Sequence, residues 1–586
     1  MEKKHTMSFP YRQRAILLID LAQESWQSIP LDEADGKKML GGRLLALSLW
    51  DTYADYDNLD SKSYESGNPI VIAPGSAVDT PMQCCDSCTL VTRSPVNQRL
   101  SVNSDNSTLS KTLLGCGYAA LVIKGRSRRL CCLDIDVQHV RFDDAEKYHD
   151  LTTGEMEARF KGKSLLSIGP AGEHQVPYAS IVIDGKNLTR GGVGMVFGLK
   201  NLKCISFALH INGRESYDPK ALGLCTKTYT NVLKKSKIGK SLQAEGPTTL
   251  LKKANKYGWA AIDNFSMRID GRLWGLCPKS QGTEEESCSI GCPGCMNAPN
   301  QVSKRQANLD FPIALALGAN LELFDYRSVC QLSQRCAENG LDPISIGAVL
   351  SWARKARAQG KLPFLPDLQS ASAISYLRIL DAMAYKRGTG EQLSIPFNQL
   401  VDQYGGSEFA YMVGSVALAP FDLRGLPIQA MLTAIGDDTL VYPELLYGNH
   451  HHRGNERSLA RWGIFSQEMR YAMESLGLCY WTALPYFEKP LIHFPHALMP
   501  TKAFGVLAKL ASVTEGYELT PKQMESVGKR AWILQQEIDN RLLHRSGRYG
   551  TLPPQLLVDA SSNFHASQVV PLARLLDAYW TIRGIK

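Results

Sequence analysis

Residues 189–203 read Thr-Arg-Gly-Gly-Val-Gly-Met-Val-Phe-Gly-Leu-Lys-Asn-Leu-Lys, and this stretch separates a strand-rich from a helix-rich part of the chain. Its glycines expose backbone amides, and Arg190 and the lysines add positive charge, which together suit an anionic, phosphate-bearing ligand. The order of residues is neither that of a P-loop nor that of a dinucleotide-binding turn, so nucleotide binding is disfavoured. Two interpretations stay open: an anion-binding turn, or a tight β-turn with solvated lysines.

The N-terminal side of this stretch contains short apolar runs typical of strands. They are residues 15–19, 69–73, 119–123 and 179–183. From about residue 217 the apolar spacing becomes helical, as in residues 332–336, 346–356 and 374–384. One helix is predicted to begin at Thr520-Pro521, because Thr can cap it and Pro fits its first turn, and to end near Ser546-Gly547. The pattern predicts an α+β fold.

Length and composition narrow the class of protein. A chain of 586 residues exceeds what one hydrophobic core usually serves, so we expect two or three domains. The formal charge is +8, but lysines and arginines occur along the whole chain, so we expect no nucleic-acid partner, while an acidic partner is permitted. The apolar run before Asp20 is too short for a secretory signal, and no run approaches the roughly 20 apolar residues of a membrane span. We therefore expect a cytoplasmic protein whose fifteen cysteines are thiols or metal ligands.

Three cysteines fall within eight residues in the segment Cys288-Ser-Ile-Gly-Cys292-Pro-Gly-Cys295. The turn formed by Gly-Cys-Pro-Gly can direct the three thiols toward one point. Such spacing suits an iron–sulfur cluster or zinc, and each requires a fourth ligand, for which Cys479 is the first candidate and Cys277 a competitor. Unmetallated thiols in a structural loop are the alternative.

Further motifs flank the opening stretch in a fixed order. They are Gly-Gly-Arg at 41–43, Ile-Gly-Pro-Ala-Gly-Glu at 168–173, Leu-Gly-Ala-Asn at 317–320, Gly-Leu-Asp-Pro-Ile-Ser at 340–345, Phe-Asp-Leu-Arg-Gly at 421–425 and Leu-Gly-Leu-Cys at 476–479. With this order, and with residues 519–554 similar to a closing helix, the chain resembles the tungsten-containing aldehyde ferredoxin oxidoreductases over nearly its whole length.

The resemblance implies both a fold and a set of cofactors. We expect a β-rich pterin-platform domain at residues 1–212, a helical domain with the cysteine cluster at 213–405 and a C-terminal helical domain at 406–586. It implies a 4Fe-4S cluster beside a tungsten (or molybdenum) bis-pterin. The implied cluster ligands are Cys288, Cys292, Cys295 and Cys479. The implied pterin-binding residues are Arg190 and, from two related Gly-Leu motifs, Leu341, Asp342, Glu474 and Leu478.

The chain also departs from the family pattern. Glu285 stands where the first cluster cysteine belongs, so that Cys295 would replace this ligand from the other side. Family arginine, asparagine and aspartate positions that contact the pterins hold Ser87, Ser104, Asn187, Ala337 and Glu474. The general base is not identified; Tyr442, His450, His451, His452 and Asp310 lie near the family's active-site positions.

Two functional hypotheses follow from the resemblance. The first is an enzyme that oxidises an aldehyde or related oxo group, or carries out another redox reaction on the same cofactor, and passes electrons to ferredoxin or a ferredoxin-like carrier. The second is a non-catalytic paralogue that keeps the fold, and with it the cluster, for electron transfer, cofactor binding or scaffolding. A homodimer is left open.

Overall fold

The computed structural model describes residues 15–32, 36, 38–59, 64–82, 84–183, 185–208, 218–245, 248–277, 309–368, 372–437, 439–448, 455–487, 499–558 and 569–585. Its N-terminal part contains two six-stranded sheets, and helices dominate from residue 219 onward. The predicted α+β fold, with a β-rich N-terminal domain and a mainly helical remainder, is therefore confirmed. The boundaries predicted at residues 212 and 405 stay predictions.

The first sheet is formed by β1 (Ala15–Asp20), β2 (Ser25–Pro30), β3 (Ile70–Pro74), β4 (Ser87–Arg93), β5 (Leu100–Asn106) and β6 (Tyr118–Lys124). The second is formed by β7 (Cys131–Ile135), β8 (Val140–Asp144), β9 (Lys163–Ile168), β10 (Ile181–Ile183), β11 (Lys186–Asn187) and β12 (Leu202–Ala208). A small hairpin, β13 (Met412–Val413) with β14 (Val416–Ala417), lies later in the chain.

The two sheets have the same topology. The strand order is β2-β1-β6-β3-β4-β5 in the first sheet and β11-β10-β9-β12-β7-β8 in the second, which is the same order of first to sixth strand read from the opposite edge. Each sheet contains one parallel pair, β1 with β6 and β7 with β12, and its other pairs are antiparallel. The N-terminal domain is therefore a structural repeat of two β-units.

The helices of the N-terminal domain include α1 (Gly42–Tyr53), α2 (Thr108–Gly115), α3 (Thr153–Arg159), α4 (Pro170–Glu173) and α5 (Val193–Leu199), and a further short one spans Tyr64–Gly67. The principal later helices are α6 (Pro219–Lys235), α7 (Lys237–Glu245), α8 (Thr249–Tyr257), α9 (Tyr326–Asn339), α10 (Pro343–Ala358), α11 (Ala373–Ala384), α12 (Thr389–Leu393), α13 (Phe397–Tyr404), α14 (Pro427–Ala434), α15 (Tyr442–Tyr447), α16 (Glu456–Leu476), α17 (Leu484–Phe487), α18 (Met499–Glu515), α19 (Pro521–Leu542) and α20 (Leu572–Arg583). Among the described residues, no helix combines the length and apolar character that a membrane span requires.

Helix α19 shows how local sequence sets an element's limits. Thr520 accepts a hydrogen bond from the Gln523 N–H, and the Gln523 side chain accepts one from the Thr520 N–H, so the predicted start is confirmed as a capping box. The predicted end near Ser546 is wrong. The helix stops at Leu542 because His544 adopts a φ of 47°, outside the helical range.

One core joins the sheets to the helices. Helix α1 lies between β3 and β4 on one side and α16 and α19 on the other. Leu45, Leu47 and Trp50 of this helix are fully buried there. Because burial of apolar surface on several neighbours stabilises their relative placement, this helix anchors the first sheet to the C-terminal helices.

Candidate functional site

Two helices of the C-terminal half end in the same glycine turn. Gly340 (φ 67°) follows α9, and Gly477 (φ 85°) follows α16. In each case the leucine after the glycine, Leu341 or Leu478, donates its N–H to the carbonyl oxygen five residues earlier, at 2.7 Å and 3.0 Å. This is a Schellman ending, which requires the left-handed conformation that glycine adopts without strain. We call these segments the Gly340 turn and the Gly477 turn.

Each turn pairs with one of the two sheets. The Ser180 N–H donates to the Gly340 carbonyl at 2.8 Å, and the Asp342 N–H donates back to the second β-unit at Tyr178. On the other side, the Ser87 N–H at the start of β4 donates to the Gly477 carbonyl at 3.0 Å. Each of the two β-units therefore pairs with one of two equivalent glycine turns.

Two glycines permit this close approach. Gly75 follows β3 and Gly169 follows β9, which are the equivalent third strands of the two units. A Cβ on Gly75 would lie 2.0 Å from the Gly477 nitrogen, and a Cβ on Gly169 would lie 2.7 Å from the Gly340 nitrogen. Any side chain at either position would separate turn from sheet.

A cavity of about 370 Å³ lies where the two turns, strand β5 and the stretch after β11 meet. Its lining includes apolar residues from the region of β14 and polar residues from both β-units. The polar and charged side chains of its lining include Arg43, Asn103, Asp105, Asn187, Arg190, Asp310, Asp342, Asp437, Arg470, Glu474, Tyr480 and Gln535.

At one end of the cavity a buried carboxylate lies between two arginines. Glu474 accepts from Arg43 at 2.6 Å and from Arg470 at 2.5 Å, and Arg43 also donates to Gln535 at 2.6 Å. Burial favours the neutral acid, but the two guanidinium groups outweigh it and hold the pKa of Glu474 below its usual value. The Arg43 Nε is buried without a hydrogen-bond partner, although it belongs to a residue that lines the cavity. Arg43 Nε is therefore a buried donor to which a ligand in the cavity would supply the acceptor.

The other end contains the second charge pair. The Arg190 Nε lies 3.4 Å from Asp342 Oδ2, and its terminal nitrogen donates to the Ala417 carbonyl at 3.0 Å. Its backbone N–H donates to Asn103 Oδ1 at 2.9 Å. Asp342 also caps α10 by accepting from the Ile344 and Ser345 N–H groups. The Arg190 guanidinium is thus held at the rim of the cavity, where Asp342 partly balances its positive charge.

Asp310 is the most perturbed acid of the cavity. Its pKa is raised to about 7: burial is the largest cause and the neighbouring Asp105 carboxylate adds to it, while the hydrogen bond from the Phe311 N–H and the charge of Lys186 oppose the shift. Tyr480 lies close enough for its own pKa to be raised by burial and by Asp310. An acid with a pKa near neutrality in a cavity can take up and release a proton under ordinary conditions.

The predicted pterin-binding residues fall into two groups. Arg190, Asp342 and Glu474 line the cavity together, whereas the side chains of Leu341 and Leu478 are fully or almost fully buried and are not among its lining.

The predicted cluster ligands are divided by the described ranges. Cys288, Cys292 and Cys295 lie outside the described residues, as do His450, His451 and His452. Cys479 is half-buried, and its N–H donates to the Cys84 carbonyl at 2.9 Å. The competitor Cys277 is buried at the end of the short helical segment Gly271–Leu276. Tyr442 is the first residue of α15.

Arg43 lies in the Gly-Gly-Arg motif at residues 41–43, and the sequence predicted no role for it. Its partners Glu474 and Gln535 are 431 and 492 residues away, so no local pattern could have linked them. The signal available was the Gly-Gly pair before it: a Cβ at Gly42 would lie 2.0 Å from the Glu474 carbonyl oxygen. Because Gly42 packs directly against the backbone of Glu474, the next residue, Arg43, lies beside the Glu474 side chain.

The lining fits a polar heterocycle better than it fits free phosphate. Arg43 Nε is an unpaired buried donor and Asn187 Oδ1 an unpaired buried acceptor, and a pterin ring offers both complementary groups. Among the described residues, however, the lining carries five carboxylates (Asp105, Asp310, Asp342, Asp437, Glu474) and three arginines (Arg43, Arg190, Arg470). Phosphate groups would therefore require further positive charge, such as a bound divalent cation.

Family comparisons agree with this architecture. Residues 16–208 match the N-terminal domain of aldehyde ferredoxin oxidoreductase, and residues 224–586 match domains 2 and 3 of the same family. The chain belongs to the aldehyde ferredoxin oxidoreductase family. This membership includes the two β-units in the first match and both glycine turns in the second.

Individual members of the aldehyde ferredoxin oxidoreductase family are distant from this chain. The tungsten-containing aldehyde ferredoxin oxidoreductase of Pyrococcus furiosus is 25% identical over 94% of this chain and 93% of its own length. The corresponding protein of Thermococcus kodakarensis is 24% identical over 94% and 92%. The aliphatic sulfonate oxidoreductase, WOR-like subunit, of P. furiosus is 22% identical over 89% and 85%.

A solved structure shares the fold. The BamBC active-site complex of benzoyl coenzyme A reductase, solved with 1,5-dienoyl-CoA, superimposes with a TM-score of 0.79 at 17% identity, over 98% of this chain and 95% of that chain. At this identity the likeness concerns the fold alone, so the aldehyde ferredoxin oxidoreductase fold does not by itself specify the substrate.

Proposed function

We propose that this protein is an oxidoreductase that oxidises an aldehyde or related oxo group at a tungsten (or molybdenum) bis-pterin and passes the electrons through a 4Fe-4S cluster to a ferredoxin-like carrier. The observation that carries the proposal is the paired arrangement of the Gly340 and Gly477 turns, one on each β-unit, around a single cavity. Two equivalent supports around one cavity suit a cofactor with two equivalent halves.

The chain's own residues would hold and orient such a cofactor. Arg43 Nε and Asn187 Oδ1 are the unpaired donor and acceptor that would contact the ring systems. Arg190 would contribute a cation at the rim, beside Asp342. When bound, the cofactor supplies the two-electron redox chemistry and binds the oxygen-bearing substrate.

Asp310 is the group that we propose moves the proton. Oxidation of an aldehyde to a carboxylic acid consumes water and releases two protons with two electrons, so a base beside the cavity is required. The pKa of Asp310 near 7 allows the carboxylate to accept a proton and the acid to release it at neutral pH. Tyr480 beside it is half-buried and would help to exclude water.

The electron path that we propose leaves the molecule at a basic helical layer. We define this layer as α6, α7 and α8, within residues 218–258, which contain nine lysines, no arginine and two acidic residues, Asp218 and Glu245. The formal charge of these 41 residues is +7, against +8 for the whole chain. Cationic residues are spread along the chain, but their excess over acidic residues is concentrated here.

This basic layer adjoins both chain segments that lead to predicted cluster ligands. Helix α17, shortly after Cys479, packs against α6 and α7. The segment Gly271–Leu276, just before Cys277, packs against α8, where Lys252 lies over the Trp274 ring at 4.8 Å. A positively charged surface beside an electron-transfer centre favours an acidic protein partner, because complementary charge steers encounter. We further propose a cytoplasmic location, since the fifteen cysteines favour a reducing compartment.

Metal and pterin analysis of protein purified without oxygen tests the proposal. We expect one tungsten or molybdenum and two pterins per chain, together with iron and sulfide, and aldehyde-dependent reduction of a viologen dye. Iron and sulfide without tungsten, molybdenum or pterin would refute the enzyme. A loaded cofactor without turnover of any aldehyde in a chemically varied panel would refute the substrate class while leaving the cofactor assignment intact.

One observation favours the second candidate, a non-catalytic paralogue. The excess of carboxylates over arginines in the described cavity lining disfavours a phosphate-bearing ligand in the absence of added cations. This candidate predicts that the purified protein contains the cluster alone and that pterin cofactor added to it is not retained.

A further inference from the structure

A cluster of polar side chains lies away from the cavity, at the edge of the second β-unit. His149 follows the short helical segment Glu146–Tyr148, and Glu173 is the last residue of α4. One potential ligand atom from each of His149, Asp150 and Glu173 lies within 4.8 Å of the other two. Nothing in the proposed redox reaction uses these residues.

The two carboxylates are already fixed through their far oxygens. Asp150 Oδ1 forms a 2.6 Å hydrogen bond with His174 Nε2. Glu173 Oε1 accepts a hydrogen bond from the ammonium group of Lys203, a residue whose side chain is completely buried. Asp150 Oδ2 and Glu173 Oε2 face His149, and Glu173 Oε2 also accepts a hydrogen bond from the Asp150 N–H at 3.1 Å. Hydrogen-bonded carboxylates with one oxygen held in place are the arrangement found around metal ligands.

His149 faces the two carboxylates with different ring nitrogens, and both distances exceed those of hydrogen bonds. Its Nδ1 lies 3.7 Å from Asp150 Oδ2, and its Nε2 lies 3.9 Å from Glu173 Oε2. A hydrogen bond between nitrogen and oxygen seldom exceeds about 3.2 Å. Two ligands at about 2.1 Å from one tetrahedral ion lie about 3.4 Å apart, so a small rotation of the imidazole ring would bring one nitrogen into place.

Charge and exposure indicate the class of ion. Lys203 balances one of the two carboxylates, and the Arg387 guanidinium lies 4.0 Å from Asp150 Oδ2 on a side chain that is 72% exposed. If Arg387 turns into solvent, a dication bound with neutral His149 leaves a net charge of only +1. An imidazole ligand favours zinc and its first-row neighbours over calcium and magnesium. The His149 side chain is 50% exposed, which leaves a coordination position open to water.

We propose that His149, Asp150 and Glu173 bind one divalent first-row transition-metal ion of the zinc class, with His174 and Lys203 as positioning residues. Bound there, the ion would hold together two segments of the second β-unit where that unit contacts the helical region. The Tyr385 hydroxyl, between α11 and α12, donates to the Asp150 carbonyl at 3.3 Å, and its ring lies 5.9 Å from that of His174.

Zinc binding to the intact holoprotein tests the site without reference to catalysis. Native protein, a His149→Ala variant and a His139→Ala control would be dialysed against buffered Zn²⁺ and analysed for zinc per chain. His139 is an exposed histidine of the same sheet region, ten residues away and outside the cluster. We expect the native protein and the control to bind one more zinc per chain than His149→Ala; equal stoichiometry in all three would overturn the proposal. Zinc taken up by cluster cysteines is common to the three proteins and cancels.

Three further measurements separate this site from a merely stabilising network. His174→Ala should retain the zinc but bind it about 10 to 100 times more weakly, because it removes only the support of Asp150. Added Zn²⁺ should raise the unfolding temperature of the native protein and the control, and not that of His149→Ala. X-ray absorption at the zinc edge should show a single imidazole with oxygen ligands. A sulfur-dominated difference spectrum between the native protein and His149→Ala, or equal zinc-induced shifts in all variants, would assign the zinc elsewhere and refute the site.

Discussion

Reversing the charge of the basic layer should slow electron delivery to a protein acceptor and leave the chemistry at the cavity intact. We choose Lys227, Lys234, Lys240 and Lys256, which are all exposed. Replacing the four by glutamate changes the charge of residues 218–258 from +7 to −1. Electrostatic steering contributes factors of about 10 to 1,000 to association rates, so losing it should lower the apparent second-order rate with an acidic ferredoxin about 100-fold at low ionic strength.

The assay compares two electron acceptors with the same enzyme preparation. Aldehyde-dependent reduction of a small viologen dye should be unchanged, since the dye needs no docking surface. The native advantage with ferredoxin should shrink in about 1 M salt, where the screening length falls to about 3 Å.

A matched variant in which four exposed lysines elsewhere, Lys147, Lys161, Lys522 and Lys529, become glutamate carries the same change of net charge. If both quadruple variants slow ferredoxin reduction equally, overall charge and not this layer is responsible, and the docking argument fails. Loss of the viologen reaction would instead report damage to the enzyme.

Three other predictions concern the fold and the site. Gly75→Ala should destabilise the protein by about 3 kcal/mol, the upper end of overpacking effects, because the new Cβ would lie 2.0 Å from the backbone of Gly477. Gly154→Ala should be neutral or stabilising, because no atom lies within 4 Å of the new Cβ. Thermal unfolding of the two variants checks the difference. Asp310 has a folded pKa of about 7 against an ordinary 3.8, so its contribution to stability is complete below about pH 4, is lost by about 1.4 kcal/mol per unit between about pH 4 and 7, and levels off above 7. Denaturant titrations of Asp310→Asn should lack that dependence, and an unchanged profile would remove Asp310 from the proton-transfer role. Cys479→Ser should bleach the visible absorption of the cluster, and an unaltered spectrum would transfer the fourth-ligand role to Cys277.

Local periodicity accounts for most of the elements that were predicted. The run of residues 15–19 is β1 and residues 119–123 lie within β6, because each is a short apolar run buried on both faces. Residues 374–384 fall within α11 for the corresponding helical reason. The run at 179–183 becomes a strand only from Ile181, since Ala179 instead forms an isolated bridge with Leu341 of the Gly340 turn. A tertiary contact thus shortened an element that its own sequence would have extended.

The duplication of the β-units was not visible in the sequence. Strand order is a property of pairing, and the two units share topology while their strands carry different residues, so no repeat length appears in the chain. What could have been read is the use of glycine: Gly75 and Gly169 each follow the third strand of their unit and each touches a glycine turn. These two glycines mark where each β-unit contacts its turn, but the sequence alone does not show that they occupy equivalent positions.

The duplication also changes the meaning of the departures from the family pattern. Glu474 stands where the family has an aspartate, and taken alone it suggested a weakened cofactor contact. In the structure its two oxygens reach two different arginines, Arg43 and Arg470, from the end of a buried helix. The extra methylene of glutamate extends that reach, and removing either partner from a buried pair is costly because it strands the remaining charge. Glu474 therefore fixes Arg43 with its Nε unpaired at the cavity, and we propose that this arginine, and not the carboxylate that holds it, would contact a bound cofactor.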